Sequence, residues 1–212
     1  MSLKLRCIRC RMVEDLCVCA VFPSLKLKTR VVTLIHHREY WKPSNTGHLV
    51  RIALENSLVK VRRDPINYLE TAHLLKPDMV NLALFPSGDS QELSPKFVRS
   101  LSGPVNLIVP DGSWRQASKM IVRDPVLRGL PRVFLPASGE PSQYRLRVET
   151  REEGLATFEA IARVLGVLEG DPVRKQLEEG FKIFTDRLLW ARGRLPLAEA
   201  APSLRGTPHH KE

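Results

Sequence analysis

The chain has no apolar run approaching the roughly 18 residues that a membrane span requires. The apolar stretch near its start, Val18–Phe22, is far shorter and contains Cys19, so it does not read as a signal peptide. A soluble, cytoplasmic protein is the expectation. The glycine-rich phosphate signatures are missing as well. Neither G-x-G-x-x-G nor G-x-x-x-x-G-K-[ST] occurs, which removes the usual dinucleotide and P-loop sites. No G-x-S-x-G occurs either, so there is no nucleophile elbow of the α/β-hydrolase kind. No internal repeat is present, and 212 residues bound the chain to one sizeable core plus a small appendage.

Cysteine is absent from everything after residue 19. Cys7, Cys10, Cys17 and Cys19 form a C-x2-C-x6-C-x-C pattern. Two close pairs joined by a short loop suit four thiolates converging on a zinc ion, and four thiolates leave no open position for catalysis. The alternatives are free surface thiols or two disulfides, and no secretion signal supports the disulfides. So short a segment has no core of its own, so a bound metal would supply its folding energy. If all four thiols hold zinc, none remains as a catalytic nucleophile.

Acidic residues are in deficit: 23 Asp and Glu face 33 Lys and Arg, a net charge of +10. In the first thirty residues Lys4, Arg6, Arg9, Arg11, Lys26, Lys28 and Arg30 face only Glu14 and Asp15. Such a patch attracts a polyanion such as RNA, or is simply a solvated surface.

From Arg30 onward the pattern is α/β. Short β-branched runs at Val31–Ile35, Leu82–Phe85, Val105–Val109 and Val133–Leu135 read as buried parallel strands. Apolar residues spaced by three and four mark helices over Leu49–Leu58, Gln116–Ile121, Leu155–Leu168 and Gln176–Trp190. The last helix is expected to bury Leu177, Phe181, Phe184 and Leu188, with Lys182, Asp186 and Arg187 off that face. Thr150 and Glu153 could form a capping box before the Leu155 helix. The segment 196–212, rich in Ala, Pro and charge and carrying His209 and His210, is expected to be disordered. The domains are then a basic zinc-knuckle segment over 1–29, a catalytic domain over 30–195 and this tail.

Each strand runs into a polar loop: His36-His37-Arg38-Glu39 and Asn45-Thr46-Gly47, Pro86-Ser87-Gly88-Asp89, Pro110-Asp111-Gly112-Ser113-Trp114, and 136–149. Ligands of open parallel sheets sit beyond the carboxyl ends of the strands, so these loops define one cleft. Asp111, at a strand-to-helix turn, is either a catalytic carboxylate or the cap of the following helix. Trp114 either walls the pocket or packs in the core. His36 and His37, pointing oppositely if both lie on a strand, read as cleft lining rather than metal ligands. Glu39 reads as the partner of a local arginine.

The run Asp111-Gly112-Ser113-Trp114-Arg115-Gln116-Ala117, opening a helix after an apolar strand, resembles the signature of the DTW-domain family. The leading cysteines, His36-His37-Arg38-Glu39, Asn45-Thr46-Gly47, Leu84-Phe85-Pro86-Ser87, Tyr144-Arg145-Leu146-Arg147 and Leu155-Ala156-Thr157-Phe158-Glu159-Ala160 match it in order, over roughly residues 5–185. Ser113 stands where the family's name-giving threonine is usual, and it keeps the hydroxyl. The resemblance implies a SPOUT-like fold, which usually contains a trefoil knot. It also implies a tRNA-uridine aminocarboxypropyltransferase that moves the 3-amino-3-carboxypropyl group of S-adenosylmethionine to uridine N3. Asp111 is then the candidate base. Thr46, Ser87, Ser113, Trp114, Leu135, Tyr144, Arg147 and Thr157 are the candidates for holding the cofactor. For Tyr144 and Arg147 the alternative is an RNA-facing surface, and for Thr157 a helix cap. A SPOUT-type RNA methyltransferase and a non-catalytic zinc-knuckle RNA-binding protein are the competing functions.

Overall fold

Six strands, every pair of them parallel, form one sheet in a computed structural model that describes residues 5–62, 71–136, 140–146 and 154–205. They are β1 (Arg30–His36), β2 (Ser57–Arg62), β3 (Val80–Leu84), β4 (Gln91–Glu92), β5 (Val105–Asp111) and β6 (Arg132–Phe134), in the spatial order β2-β1-β5-β3-β6-β4. The described helices are α1 (His37–Tyr40), α2 (Val50–Ala53), α3 (Pro95–Arg99), α4 (Trp114–Arg123), α5 (Pro125–Gly129), α6 (Thr157–Glu169), α7 (Asp171–Ala191) and α8 (Leu197–Leu204). Among the described residues no helix is long and apolar enough to cross a membrane.

The strand period of two sends alternate residues to opposite faces, and both faces are covered. Val31 of β1 and Val105, Leu107 and Val109 of β5 join α6, α7 and the cysteine-bearing segment in the larger core. Val32 and Leu34 of β1 and Ile108 of β5 face Ala117, Met120 and Ile121 of α4 and Leu127 of α5. A strand covered on both faces gains nothing from polar alternation, which is why these strands read as unbroken apolar runs. β5 lies between β1 and β3 and is buried along its whole length, so its last residue, Asp111, ends inside the molecule.

The segment before β1 docks on the larger core. Cys10, Met12, Leu16, Val18 and Phe22 are buried in it, and Phe22 meets the Phe158 ring edge-on at 5.6 Å between centroids. The cysteine segment thus shares the hydrophobic core of the sheet domain.

Three expectations are corrected. The helix expected over Leu49–Leu58 stops at Ala53, because Leu54 turns extended and bridges to Leu25, with Leu25 N–H donating to Ala53 O at 2.8 Å. The Ser57 hydroxyl closes that end on Leu54 O at 2.8 Å, and Ser57 begins β2, pairing with Val31 of β1. A tertiary bridge overrides the helical period here. The tail is not disordered from Pro196: Leu197–Leu204 is helical, with Ala200 and Leu204 buried one turn apart. Its two inward residues are too sparse a stripe to stand out among Ala, Pro and charge. Asp186 and Arg187 of α7 are buried too, since α8 and the cysteine segment cover that side. The Thr150–Glu153 box lies outside the described residues. The cap of α6 is instead Glu159, whose Oε2 accepts the Ala156 N–H at 3.0 Å.

At Gly180 of α7 an added Cβ would lie 2.5 Å from Pro23 Cδ and 3.1 Å from its Cγ. Alanine is the better helix former by about 1 kcal/mol, but the proline ring in its way is not a flexible chain end. Gly180→Ala is therefore expected to destabilise by about 1–3 kcal/mol, as overpacking does. Urea denaturation reads this directly, and a raised midpoint would show that Pro23 yields.

Candidate active site and cysteine cluster

Asp111 is the centre of the arrangement. Its carboxylate is buried, yet it accepts hydrogen bonds from two segments far away in sequence. Asn45 Nδ2 donates to Oδ2 at 2.5 Å, and the Thr157 hydroxyl donates to Oδ1. Gly47 lies against the same carboxylate, and a Cβ there would stand 2.3 Å from Oδ2 and 2.8 Å from Cγ. Only a residue without a side chain allows so close an approach. Asp111 does not cap α4. That role belongs to Ser113, whose Oγ accepts Gln116 N–H at 3.4 Å while Gln116 Oε1 accepts Ser113 N–H at 2.7 Å, a complete capping box.

Five consecutive residues, 44–48, each meet a segment distant in sequence. The Tyr144 hydroxyl donates to Ser44 O at 2.6 Å, and Thr46 Oγ1 accepts Phe158 N–H at 3.2 Å at the start of α6. Asn45 and Gly47 hold Asp111, and His48 Nε2 lies 2.8 Å from Cys10 O. Burial pushes the His48 imidazole down to about 4, so the ring is neutral. Nε2 then carries the proton for the Cys10 carbonyl. Nδ1 faces Asn45 Oδ1 across 3.4 Å with no proton between them, so the ring supports Asn45 by packing.

Beyond the strand ends lies a cleft of about 920 Å³. Thr46, Ser87, Asp111, Ser113, Trp114, Leu135, Tyr144 and Thr157 all line it, so the structure gathers every described candidate into one place. Arg147 lies outside the described residues. Trp114 is 44% exposed and stacks on Phe85 at 4.8 Å and 25°. It therefore forms a wall of the cleft and is not packed in the core. Tyr144 is buried, with its ring tilted over Phe181 at 5.6 Å, which removes the RNA-facing reading and makes it a floor residue. Thr157 gives its hydroxyl to Asp111 and does not cap α6.

His36 and His37 do not line the cleft. The strand ends at His36 and α1 begins at His37, so the two rings stack at 4.4 Å instead of pointing apart. His36 Nδ1 accepts Arg38 N–H at 3.3 Å, and burial, then the neighbouring His37, lowers its pKa. Glu39 is buried and pairs with Lys42 at 2.6 Å, a lysine where an arginine was expected. Asn45 was missed as a functional side chain. Its sequence signal was its place in the Asn45-Thr46-Gly47 block, which gave no hint of its target.

The four cysteine sulfurs lie within 4.8 Å of one another, with Cys7 Sγ to Cys19 Sγ at 3.6 Å and Cys10 Sγ to Cys17 Sγ at 3.7 Å. Sulfurs placed about 2.3 Å from a central zinc at tetrahedral angles stand about 3.8 Å apart, so the donor set fits that ion. Burial pushes the Cys10 thiol up to about 11 and raises Cys19 as well. At Cys7 burial acts upward too, but the Cys10 and Arg9 backbone and the Cys19 and Cys17 thiols outweigh it and hold the group at about 7. Binding a cation would therefore release protons and tighten with rising pH.

Arg187 lies beside this cluster. It is fully buried, and the hydrogen bonds of its guanidinium go to carbonyls: Leu16 and Cys17 of the cysteine segment, Ser203 at 2.6 Å and Arg205 at 2.8 Å. Burial lowers its pKa, and Cys17 and Cys10 are the groups that act to raise it. Four thiolates around one divalent ion would place a net negative charge beside this guanidinium.

A doubly covered parallel sheet with a buried carboxylate at its central strand end, an aromatic wall and a four-sulfur knuckle defines an α/β protein with a strand-end ligand cleft. The chain belongs to the DTW domain family, whose domain matches residues 4–189. The tRNA-uridine aminocarboxypropyltransferase 2 of Drosophila melanogaster is 30% identical over 178 residues, covering 81% of this chain and 69% of that protein. The tRNA-uridine aminocarboxypropyltransferase A of Arabidopsis thaliana is 30% identical over 78% of this chain and 73% of its own. The Mus musculus tRNA-uridine aminocarboxypropyltransferase 2 is 27% identical over 77% of this chain, which spans 56% of it. Among solved structures, the SAM-dependent rRNA:acp-transferase Tsr3 from Vulcanisaeta distributa aligns over 84% of this chain and 86% of its own, at 17% identity and a TM-score of 0.46.

Protein purified without chelator is expected to carry about one zinc per chain, bound through sulfur only, as elemental analysis and X-ray absorption would read. Because Cys10, Met12, Leu16 and Val18 belong to the shared core, chelation or Cys7→Ser should lower the melting temperature of the whole domain. Metal-free preparations with an unchanged melting temperature would refute the site.

Proposed function

We propose that this protein modifies tRNA, transferring the 3-amino-3-carboxypropyl group of S-adenosylmethionine to N3 of a uridine and releasing methylthioadenosine. Membership of the DTW domain family and the names of its relatives support the reaction class. The observation that carries it to particular residues is the buried, doubly hydrogen-bonded Asp111 carboxylate facing the cleft beside the Trp114–Phe85 stack.

S-adenosylmethionine, when bound, supplies a sulfonium bearing three electrophilic carbons. Selectivity among them follows from which carbon the nucleophile reaches in line. Uridine N3–H is weakly acidic, so the nitrogen needs a positioned acceptor for its proton. Asp111 is that acceptor: the bonds from Asn45 and Thr157 fix the direction of its carboxylate at the cleft. Trp114, stacked on Phe85, lines the cleft as its aromatic wall. Thr46, Ser87 and Ser113 place hydroxyls around the cleft, while Leu135 and Tyr144 close its apolar side. The cleft volume falls within the about 300–1,000 Å³ usual for small-molecule sites. We assign the zinc a structural role, because four thiolates leave no open coordination position.

Unmodified tRNA incubated with carboxyl-labelled S-adenosylmethionine should acquire label in one nucleoside, with methylthioadenosine as co-product. S-adenosylhomocysteine in its place would make the protein a methyltransferase. Failure to bind S-adenosylmethionine would make it a non-catalytic RNA binder. Asp111→Asn separates chemistry from architecture. The amide can keep its oxygen towards Asn45 and donate its N–H to Thr157, whose hydroxyl can reverse its role. Fold and cofactor affinity should persist while turnover falls by on the order of 10²–10⁴. Near-wild-type transfer by this variant would remove Asp111 from the mechanism.

A further inference from the structure

Among the described residues seven large apolar side chains are exposed, and three of them, Leu5, Ile8 and Trp41, lie on the cysteine segment and at the end of the short helix clamped to it. Ile8 is 86% exposed and Trp41 80%. The clamp is Arg11, whose backbone takes a left-handed φ of 63°. Its guanidinium lies over the Tyr40 ring at 3.6 Å, 5.2 Å from the Trp41 ring, and donates to Tyr40 O. Arg51 reaches back to Ile8 O at 3.4 Å. Tyr40 supports the Trp41 indole edge-on at 5.0 Å and 77°. Arg11, one of the leader cations expected to meet a polyanion, is thus a clamp that holds an aromatic side chain open to solvent.

The surroundings are basic. Residues 5–15 and 36–51 contain Arg6, Arg9, Arg11, Arg38, Lys42 and Arg51 against Glu14, Asp15 and Glu39, the last buried and paired with Lys42. The platform is also near the cleft. Trp41 is three residues from Ser44, which lines it, so the two are at most about 11 Å apart along the chain.

We propose that the open face of Trp41 is a stacking platform for an unpaired nucleotide of the RNA substrate, with Arg6, Arg9, Arg38 and Arg51 meeting the neighbouring phosphates. The proposal rests on the RNA-modifying function above and adds the place where the nucleic acid docks. Sequence-tolerant RNA binding combines cationic grooves with aromatic rings on which bases stack. A cation behind the ring, as Arg11 is, leaves the outer face free for the base. A ring so exposed contributes little to folding, so its loss should be felt in RNA binding alone.

The test is the affinity of the full-length, zinc-loaded protein for an unmodified tRNA transcript, by fluorescence anisotropy across a salt series. Trp41→Ala should raise Kd by roughly 5- to 100-fold, the range that base stacking supplies, and Trp41→Phe should recover most of it. The dependence of log Kd on log salt should be unchanged in both, because no phosphate contact is lost, whereas Arg9→Ala should reduce that slope by about 1. S-adenosylmethionine affinity and melting temperature should stay at wild-type values. Equal tRNA affinity of Trp41→Ala and wild type overturns the platform. So does an oligomeric mass that changes on substitution while RNA affinity does not, which would mark Trp41 as a contact between copies. A wild type that binds no tRNA refutes the platform together with the RNA-modifying function. A wild type that binds tRNA through Trp41 but modifies no uridine upholds the platform and refutes only the proposed reaction.

Discussion

The rest of this structure is arranged around the problem of keeping one carboxylate inside the protein. β5 is buried from end to end and Asp111 closes it at the base of the cleft, where an unsatisfied charge would cost several kcal/mol. Its donors are brought to it from both sides along the chain, Asn45 from the connection after β1 and Thr157 from the first turn of α6. Both connections are then constrained in turn. Gly47 must lack a side chain, Thr46 is tied to the α6 backbone, and Ser44 is tied to Tyr144. A carboxylate held this way is preorganised: its direction is set before any ligand arrives.

The cysteine knuckle takes part in the same framework. Its apolar residues belong to the main core, and its Cys10 carbonyl meets His48, which packs behind Asn45. From the cysteine cluster to the Asp111 carboxylate the path therefore runs through two side chains of a single five-residue segment. On the other side Arg187 ties the knuckle to α8 through carbonyls alone. A buried guanidinium without a carboxylate is costly in isolation. The cysteine cluster lies beside it, so the knuckle, α7 and α8 are held together through this one side chain.

How much could be read in advance differed from one element to another. The central strands were legible because sheet faces covered on both sides demand continuous apolar runs. β2 was not, because Leu49–Leu58 carries apolar residues at spacings that also suit a helix, and the bridge between Leu25 and Leu54 that ends α2 is a contact between distant segments. α8 was missed because its inward face consists of little more than Ala200 and Leu204. His36 and His37 were expected to diverge, and they stack because the boundary between strand and helix falls between them.

By itself the sequence determined the sulfur cluster, the basic character, the four central strands with their strand-end loops, and the small set of polar residues that those loops could bring together. These are properties of spacing and composition, which local chemistry enforces. Tertiary structure decided which role each residue takes. It made Ser113 and not Asp111 the cap of α4, turned Asp111 into a buried acceptor, engaged Thr157 as its donor, and brought Asn45 to it across 66 residues of chain. It also buried Arg187 and left Trp41 open to solvent. The physical reason is the same in each case: a hydrogen bond or a packed face is chosen by what lies opposite in space, and neighbouring residues in the chain carry no record of that partner.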